Sequence, residues 1–395
     1  MERLLNLVSI RSGQVDPKLP QYRDMPLVAP DHIESGTGRL LATRSAKEQG
    51  AISGKYVVNP GDIIYSKIRP YLMKAYRADF HALCSADMYA LAPRRGADGR
   101  YILNLLLGRV FTNFAIGESM RSGIPKINRE GLAGYELLVP PDSEQQMIGA
   151  ALEDTDVLVY GLEKLLVKKR AIKQGMMQEL LTGRTRLPSF TGEWSTRRLS
   201  TLGTFLRGSG IKRDQVRPSG VPCIRYGEIY TTFDDYTAST VSFVDQAVAA
   251  TSLPLAYGDI LFAGSGETKS EIGMNVAYIG DAPAVAGGDI IVLRGIDYDP
   301  VYLATLLNTP EVAVQKARGG QGDAVVHINW RVLAGIEVKI PRLAEQRAIA
   351  QVLIDADAET KVLERRLEAT KAIKQGMMQE LLTGRTRLPV KEDAV

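Results

Sequence analysis

A run of eighteen residues, AIKQGMMQELLTGRTRLP, occupies 171–188 and recurs without a change at 372–389. The offset of 201 in a chain of 395 residues divides the protein into two near-equal halves, each closed by one copy. A repeat of so long a period constrains architecture more than any local signal, because each copy must be one structural unit in a shared frame. The correspondence extends upstream at the same offset. Ile127-Asn128 and Leu132-Ala133-Gly134 match Ile328-Asn329 and Leu333-Ala334-Gly335, Pro140 matches Pro341, and Glu144-Gln145 matches Glu345-Gln346. Further back only landmarks survive: Gly61-Asp62-Ile63 against Gly258-Asp259-Ile260, and Pro26 against Pro222. The expectation is a tandem of one module, with a constant connector and a variable part before it.

Within the constant part, 144–182 reads as one long helix. Apolar residues fall at Ile148, Leu152, Val159, Leu162, Leu166, Met176 and Leu180, at spacings that are sums of threes and fours. Ile349, Leu353, Ala356, Leu363, Leu367, Met377 and Leu381 give the second half the same stripe. Pro140-Pro141 cannot lie inside such a helix, Ser143 with Gln146 fits a capping box, and Gly183 and Gly384 fit the stop. Its length of roughly 58 Å exceeds the width of a small domain, at about 1.5 Å per residue. The stripe therefore needs a cover. The linker from Gly183 to Glu193 is too short to run back along the helix at about 3.5 Å per residue, but a compact domain can supply the return path. Antiparallel pairing is the expected geometry, with Leu152, Leu162, Leu166, Met176 and Leu180 on one helix and Leu353, Leu363, Leu367, Met377 and Leu381 on the other. The competing arrangement packs each helix on its own domain. Gly175 and Gly376, at equivalent interior positions, point to a close helix crossing.

The remaining segments read as mixed α/β. β-rich runs at 56–68, 257–266 and 289–296 are bounded by Gly, Pro and Asp, and 101–116 and 300–317 look helical, the second broken at Pro310. The fold class is α/β (mixed): two globular domains separated by two long helices packed as an antiparallel coiled coil, in a pseudo-two-fold tandem repeat. The boundaries are a first domain at 1–142, a spacer helix at 143–183, a linker at 184–193, a second domain at 194–342, a second helix at 343–384 and a tail at 385–395. In a circular two-fold arrangement the tail takes the place of the linker that the first domain lacks, so the N-terminus and the tail are expected to lie close together.

Composition excludes more than it identifies. With 45% hydrophobic and 24% charged residues the chain resembles an ordinary globular protein, and no run approaches the ~18 apolar residues of a membrane span. The N-terminal segment is too short and interrupted for a signal peptide. Cys84 and Cys223 fall in different halves, which fits a reducing cytoplasm and no disulfide framework. The first 142 residues carry 19 Lys/Arg against 14 Asp/Glu, whereas 194–340 carry 13 against 15, so any attraction for an anionic partner is uneven. Basic residues also precede both copies of the repeat: Lys164, Lys168, Lys169, Arg170 and Lys173, then Arg365, Arg366, Lys371 and Lys374. They read either as solvated helix faces or as a phosphate-facing surface.

Catalytic chemistry is missing from the pattern. His32, His81 and His327 stand apart from Cys or carboxylate clusters, so no zinc site or histidine-based triad is expected. No N-P-P-[YF] or D-P-P-Y segment offers to hold a flipped adenine. The loop 264–270 departs from a phosphate-binding loop, with Thr268 where the pattern needs Gly and too short a spacing. No cofactor, metal or catalytic residue is assigned.

Two variable α/β domains, each followed by an equivalent long helix, with no catalytic motif: the chain resembles the DNA-specificity (S) subunit of Type I restriction–modification systems. The most specific pieces are the block 173–187 with its duplicate, the Pro-x3-Glu-Gln entries at Pro140 and Pro341, and the opening segment VPCIRYGEI at 221–229. The resemblance implies two target recognition domains reading the halves of a bipartite double-stranded DNA site from the major groove. It also implies helices that set the spacing, two modification (methyltransferase) subunits docked on them, and restriction subunits that join for translocation and cleavage. The methylation and cleavage chemistry would lie in those partners. Independently, two readers on one face of B-DNA sit about 34–36 Å apart, a distance that a rigid rod can fix.

Readers of base edges are expected among Arg, Lys, Asn, Gln, Glu and Ser on loops, with Tyr for phosphate or stacking. In the first domain these are Lys67, Arg69, Tyr71 and Lys74, then Arg121, Ser122 and Lys126, with Lys67 and Lys74 expected on phosphates. In the second they are Ser265, Glu267, Thr268 and Lys269, then Gln321, Asp323 and His327, with Arg225, Tyr226 and Glu228 near the opening strand. The competing reading for each is an ordinary solvated loop residue. Asn128 and Asn329 recur in both halves and are expected to be structural. Rival functions are the same role in a related system that cleaves on both sides of its site, a self-contained DNA-modifying enzyme, and a protein scaffold.

Overall fold

The computed structural model describes residues 1–119, 123–322 and 325–389. It forms two compact units, and each draws on both halves of the sequence: Met1–Leu166 with the chain from Val362 on, and Val167–Lys361. The two long helices, Asp142–Thr182 and Leu343–Leu381, contribute residues to both units.

In the first unit an antiparallel four-stranded sheet runs Val8–Ile10, Met88–Pro93, Ile63–Ser66, Ala75–Arg77. A second sheet runs Arg44–Ser45, Pro26–Val28, Ala82–Cys84, Tyr56–Val58, with a parallel pair at its centre. Ile63, Ile64 and Tyr65 are all buried, which is why this strand is a continuous apolar run rather than an alternating one. The helices Gly99–Leu107 and Arg109–Ser119 pack on the first sheet through Tyr101, Leu105 and Phe111. The sequence suggested one helix here, but Gly108 adopts an extended conformation and divides it.

The second unit repeats this plan in five strands per sheet. One sheet runs Thr204–Arg207, Ile290–Arg294, Ile260–Ala263, Asn275–Tyr278, Tyr236–Thr237; the other contains the parallel pair of Val221–Ile224 with Val285–Ala286. Register ties the halves together more tightly than sequence did. Ile63 pairs with Leu91 as Ile260 pairs with Leu293, and Leu27 pairs with Leu83 as Cys223 pairs with Val285. Pro26 and Pro222 are thus equivalent, one residue before the paired position. The Gly-Asp-Ile landmarks are equivalent turns, with φ +91° at both Gly61 and Gly258. In each, the buried aspartate accepts a backbone N–H three residues upstream, from Asn59 to Asp62 and from Ala256 to Asp259. Each aspartate is neutralised by an arginine fork, Arg11 on Asp62 and Arg294 on Asp259. Arg11 follows the strand Val8–Ile10 whereas Arg294 ends the strand Ile290–Arg294, so the alignment of sequences hid the equivalence.

The helix entries explain the Pro-x3-Glu-Gln motif. Gln145 donates to the Pro140 carbonyl and accepts from the Asp98 amide, while Gln346 does the same with Pro341 and Asp299. Each glutamine thereby anchors the long helix to the start of the preceding domain helix. The capping box expected at Ser143 and Gln146 does not form, because the helix already begins at Asp142 and the Pro141 carbonyl accepts from Glu144 and Gln145. Gly183 and Gly384, at φ +70° and +71°, end the helices in the left-handed conformation that glycine tolerates best.

The apolar stripe serves both of the arrangements the sequence left open. Ile148 and Leu152 lie in the core of the first unit together with Leu4, Leu132 and, from the second long helix, Leu381. Farther along, Val159, Leu162 and Leu166 form a seam with Leu363 and Leu367. In the second unit Met176 and Leu180 pack with Ile349 and Leu353. Ion pairs give the antiparallel direction: Asp156–Lys374 and Glu163–Lys371 in the first unit, Lys169–Glu359 and Lys173–Asp357 in the second. Much of the basic character before the repeat is therefore spent between the helices. The close crossing suggested by Gly175 and Gly376 is overturned, since a Cβ at either position would meet nothing within 4 Å.

The repeat's last residues close each unit. Arg186 forks onto buried Glu345 (Nη2–Oε2 2.6 Å), and Arg387 onto buried Glu144 (Nε–Oε1 2.8 Å), with the Leu388 amide adding a bond of 3.0 Å. Leu388 packs on the core that holds Leu4 and Leu7, which places the described start of the tail, 385–389, beside the N-terminal segment, as expected of the circular arrangement.

Candidate nucleic-acid interface

In the first unit the chain leaves Ile63–Ser66 and meets the segment ahead of the helix Arg129–Ala133. Ile68 bridges Lys126, the Ile127 amide donates to the Lys67 carbonyl (2.9 Å), and the Arg69 amide donates to the Pro125 carbonyl (2.8 Å). Lys67, Arg69 and Lys126, which the sequence separates by some sixty residues, are thus on one surface. Arg69 is left-handed (φ +49°) directly before Pro70, a conformation that costs on the order of 1 kcal/mol or more in a non-glycine residue and is held by that Pro125 bond. It leaves Arg69 and Tyr71 exposed.

The charge at this surface converges. Lys67 is half-buried, with its ammonium 5.4 Å from the Tyr89 ring centroid. Burial holds the Lys67 ammonium below its usual pKa range, and Lys126 and Arg129 push it the same way against Asp87. Adjacent cations lacking an equal number of anions suit a phosphate. Arg129 was missed by the sequence reading, although its place one residue after the helix cap at Asn128 was visible. Lys74 does not join this group. Its ammonium donates to the Pro30 carbonyl at 2.6 Å, so it braces a loop.

In the second unit Ser265 pairs with His327 and Gly266 with Val326, and Gln321 bridges His327 in turn. The Ile328 amide donates to the Gly264 carbonyl at 2.9 Å, the same bond that Ile127 makes to Lys67. Ser265, Gln321 and His327 are thereby brought together, with the exposed loop Glu267, Thr268 and Lys269 beyond. Thr268 bonds Ser270 and Glu271. At the loop's far end the buried Lys316 ammonium donates to the Gly273 carbonyl at 2.8 Å, with burial pushing its pKa down to about 7 against the opposing pull of Asp235. That buried lysine had no sequence signal to distinguish it from a solvated one.

Several expected readers are committed elsewhere. Glu228 is buried, accepting from the Arg225 amide and guanidinium and from Ser242, so Glu228 and Arg225 shape the start of the helix Tyr226–Thr231. Tyr226 remains exposed. Ser265 is buried, and its hydroxyl lies 2.9 Å from His327 Nδ1. Asn128 accepts from Gly131, and Asn329 from Arg331 and Val332, as helix caps. Arg121, Ser122 and Asp323 lie outside the described residues. The ten stripe residues expected at subunit-interface helices turn inward, seven of them buried and Met176, Leu363 and Met377 partly so. Among the described residues no group of three or more His, Cys, Asp or Glu could hold a metal ion, and no helix is long and apolar enough to cross a membrane.

Comparison with known proteins bears on this geometry. Residues 3–169 match the family described as Type I restriction modification DNA specificity domain. The Type I restriction enzyme EcoDI specificity subunit of Escherichia coli is 34% identical over 167 residues, covering 42% of this chain and only 37% of that protein. The Type I restriction enzyme MjaVIII specificity subunit of Methanocaldococcus jannaschii is 24% identical over 294 residues, covering 70% of this chain and 68% of that one. Among solved structures, the Type-I restriction-modification system S subunit from M. genitalium superposes with a TM-score of 0.60 at 13% identity, over 95% of this chain and 94% of that one. At that identity the likeness is one of fold.

Proposed function

Because this chain resembles the specificity subunits of Type I restriction–modification systems in sequence and across nearly its whole fold, we propose that it is the DNA-reading subunit of such a system. It reads an asymmetric bipartite target in double-stranded DNA. The domain at 1–142 reads one half and the domain at 194–342 the other, with the helices at 143–183 and 343–384 as the frame and 184–193 and 385–395 as connectors. Two modification subunits supply adenine methylation and restriction subunits supply translocation and cleavage. This chain performs neither.

The observation that carries this reading is one backbone arrangement bearing two sets of side chains. The Ile127–Lys67 and Ile328–Gly264 bonds are equivalent, yet the surface beside the first presents Lys67, Arg69 and Lys126 and that beside the second presents His327, Gln321 and the 267–269 loop. A common frame with unlike tips is what reading two different half-sites requires, since base discrimination comes from side chains at groove edges. Methylome sequencing of cells expressing the chain with its modification subunit tests it. One bipartite, non-palindromic methylated motif is expected, with single-base changes costing about 1–3 kcal/mol each. Methylation independent of this chain, or by this chain alone, refutes it.

A further inference from the structure

Lys67 and Gly264 occupy the same place in the two units but leave different space around it. The Gly264 amide donates to the Asp289 carbonyl (2.7 Å) as the Lys67 amide does to that of Asp87 (3.1 Å). In the first unit the Lys67 side chain extends over Tyr89. In the second, where glycine contributes no side chain, a groove of about 390 Å³ opens, with Phe205, Ile291 and Trp330 among its apolar walls. Its polar lining includes Arg207, His327 and Asp289.

We infer that this groove is a specificity-determining subsite of the second domain, which takes the major-groove edge of a single G·C base pair. The inference rests on the DNA-reading function proposed above. His327 supplies a donor of fixed orientation. Its main chain is held between Ser265 and Gln321, and its Nδ1 lies 2.9 Å from the buried Ser265 hydroxyl. If that hydroxyl accepted from an Nδ1–H, its own proton would have no acceptor among the described residues, which is unfavourable for a buried group. The subsite takes Ser265 as the donor to Nδ1, which leaves Nε2 as the ring nitrogen that presents an N–H. Arg207 brings a second donor set, and its exposed guanidinium makes no hydrogen bond or ion pair among the described residues.

Guanine shows two acceptors to the major groove, N7 and O6, and its paired cytosine shows the N4 donor. His327 and Arg207 as donors and Asp289 as acceptor match that set, with His327 and Arg207 on guanine and Asp289 on cytosine. A phosphate matches it poorly, because Asp289 would repel it. Asp289 is itself left-handed (φ +58°), a conformation held by the bond from Gly264. In this arrangement Ser265 is a positioning residue, acting through the imidazole.

The test uses the complex of the full chain with its modification subunit, binding a labelled duplex that carries the motif found by methylation mapping. Each guanine is replaced in turn by 7-deazaguanine, which removes N7 and leaves the protein untouched. At one guanine the wild-type complex should lose affinity on the order of tenfold. His327→Ala should remove most of that loss, Ser265→Ala should reduce it at an unchanged salt slope, and losses at the other guanines should persist. The subsite is overturned if no guanine shows a loss that depends on His327, including the case in which the base analogues alone change affinity less than twofold throughout. Failure to find any bipartite motif would instead count against the DNA-reading function.

Discussion

Lys67, Lys126 and Arg129 act as a group because the fold sets them side by side, and this decides which cations should matter. Lys67→Met and Lys126→Met are expected to weaken binding to every duplex and to lower the slope of log K against log salt by about one unit each. Lys74→Met should leave the slope unchanged, because that ammonium is already satisfied by the Pro30 carbonyl. Fluorescence anisotropy across a salt series measures all three, and unchanged slopes at both Lys67 and Lys126 would remove them from the phosphate contacts. At this scale the sequence was a partial guide. It marked Asn128 and Asn329 as structural because they recur, and both are caps. It could not distinguish a reading residue from a bracing one at Glu228 or Lys74, since burial and partner are properties of neighbours distant in the chain.

Among the elements, the long helices were the most legible, for helices of 41 and 39 residues repeat their apolar period many times and average out exceptions. The prediction failed where it depended on a single residue type. Gly175 and Gly376 face open space rather than a close neighbour, so they retain only the conformational cost of glycine in a helix. Gly175→Ala and Gly376→Ala should each stabilise the protein by about 0.5–1 kcal/mol, seen as a higher denaturation midpoint in urea. Destabilisation by either would mean that the helices approach each other there after all. The division at Gly108 and the strand order were illegible, because neither is set by local periodicity.

For the molecule as a whole, each compact unit is completed by the end of the other half's helix and the residues after it. Glu144 shows how this is held. The hydrogen bond from Arg387 keeps its carboxyl below the usual range, with the Leu388 amide adding to the effect and burial opposing it. A carboxylate whose pKa is depressed by folding stabilises the native state above its unfolded value of about 4.3 and loses that contribution as pH falls through the lowered folded value. Glu144→Gln should therefore be less stable than the parent at pH 7, and the gap should close on acidification below about pH 4. A gap of constant size from pH 7 to pH 3, by thermal or urea denaturation, would show that the carboxylate charge is not what holds the tail.

By itself the sequence determined the tandem plan and the two long helices, and it carried the resemblance to specificity subunits. All of these are written in periods, in identical repeats or in short motifs whose meaning is local. Tertiary structure decided what lies beside what: that Lys67 meets Lys126, that Arg11 and Arg294 reach equivalent aspartates from unlike places in the chain, and that a groove lies beside Gly264 where Lys67 extends over Tyr89. Such pairings arise when strands from remote parts of the chain align to bury their apolar faces. The polar residues carried along on those strands acquire neighbours, and with them their roles, only after that burial is complete.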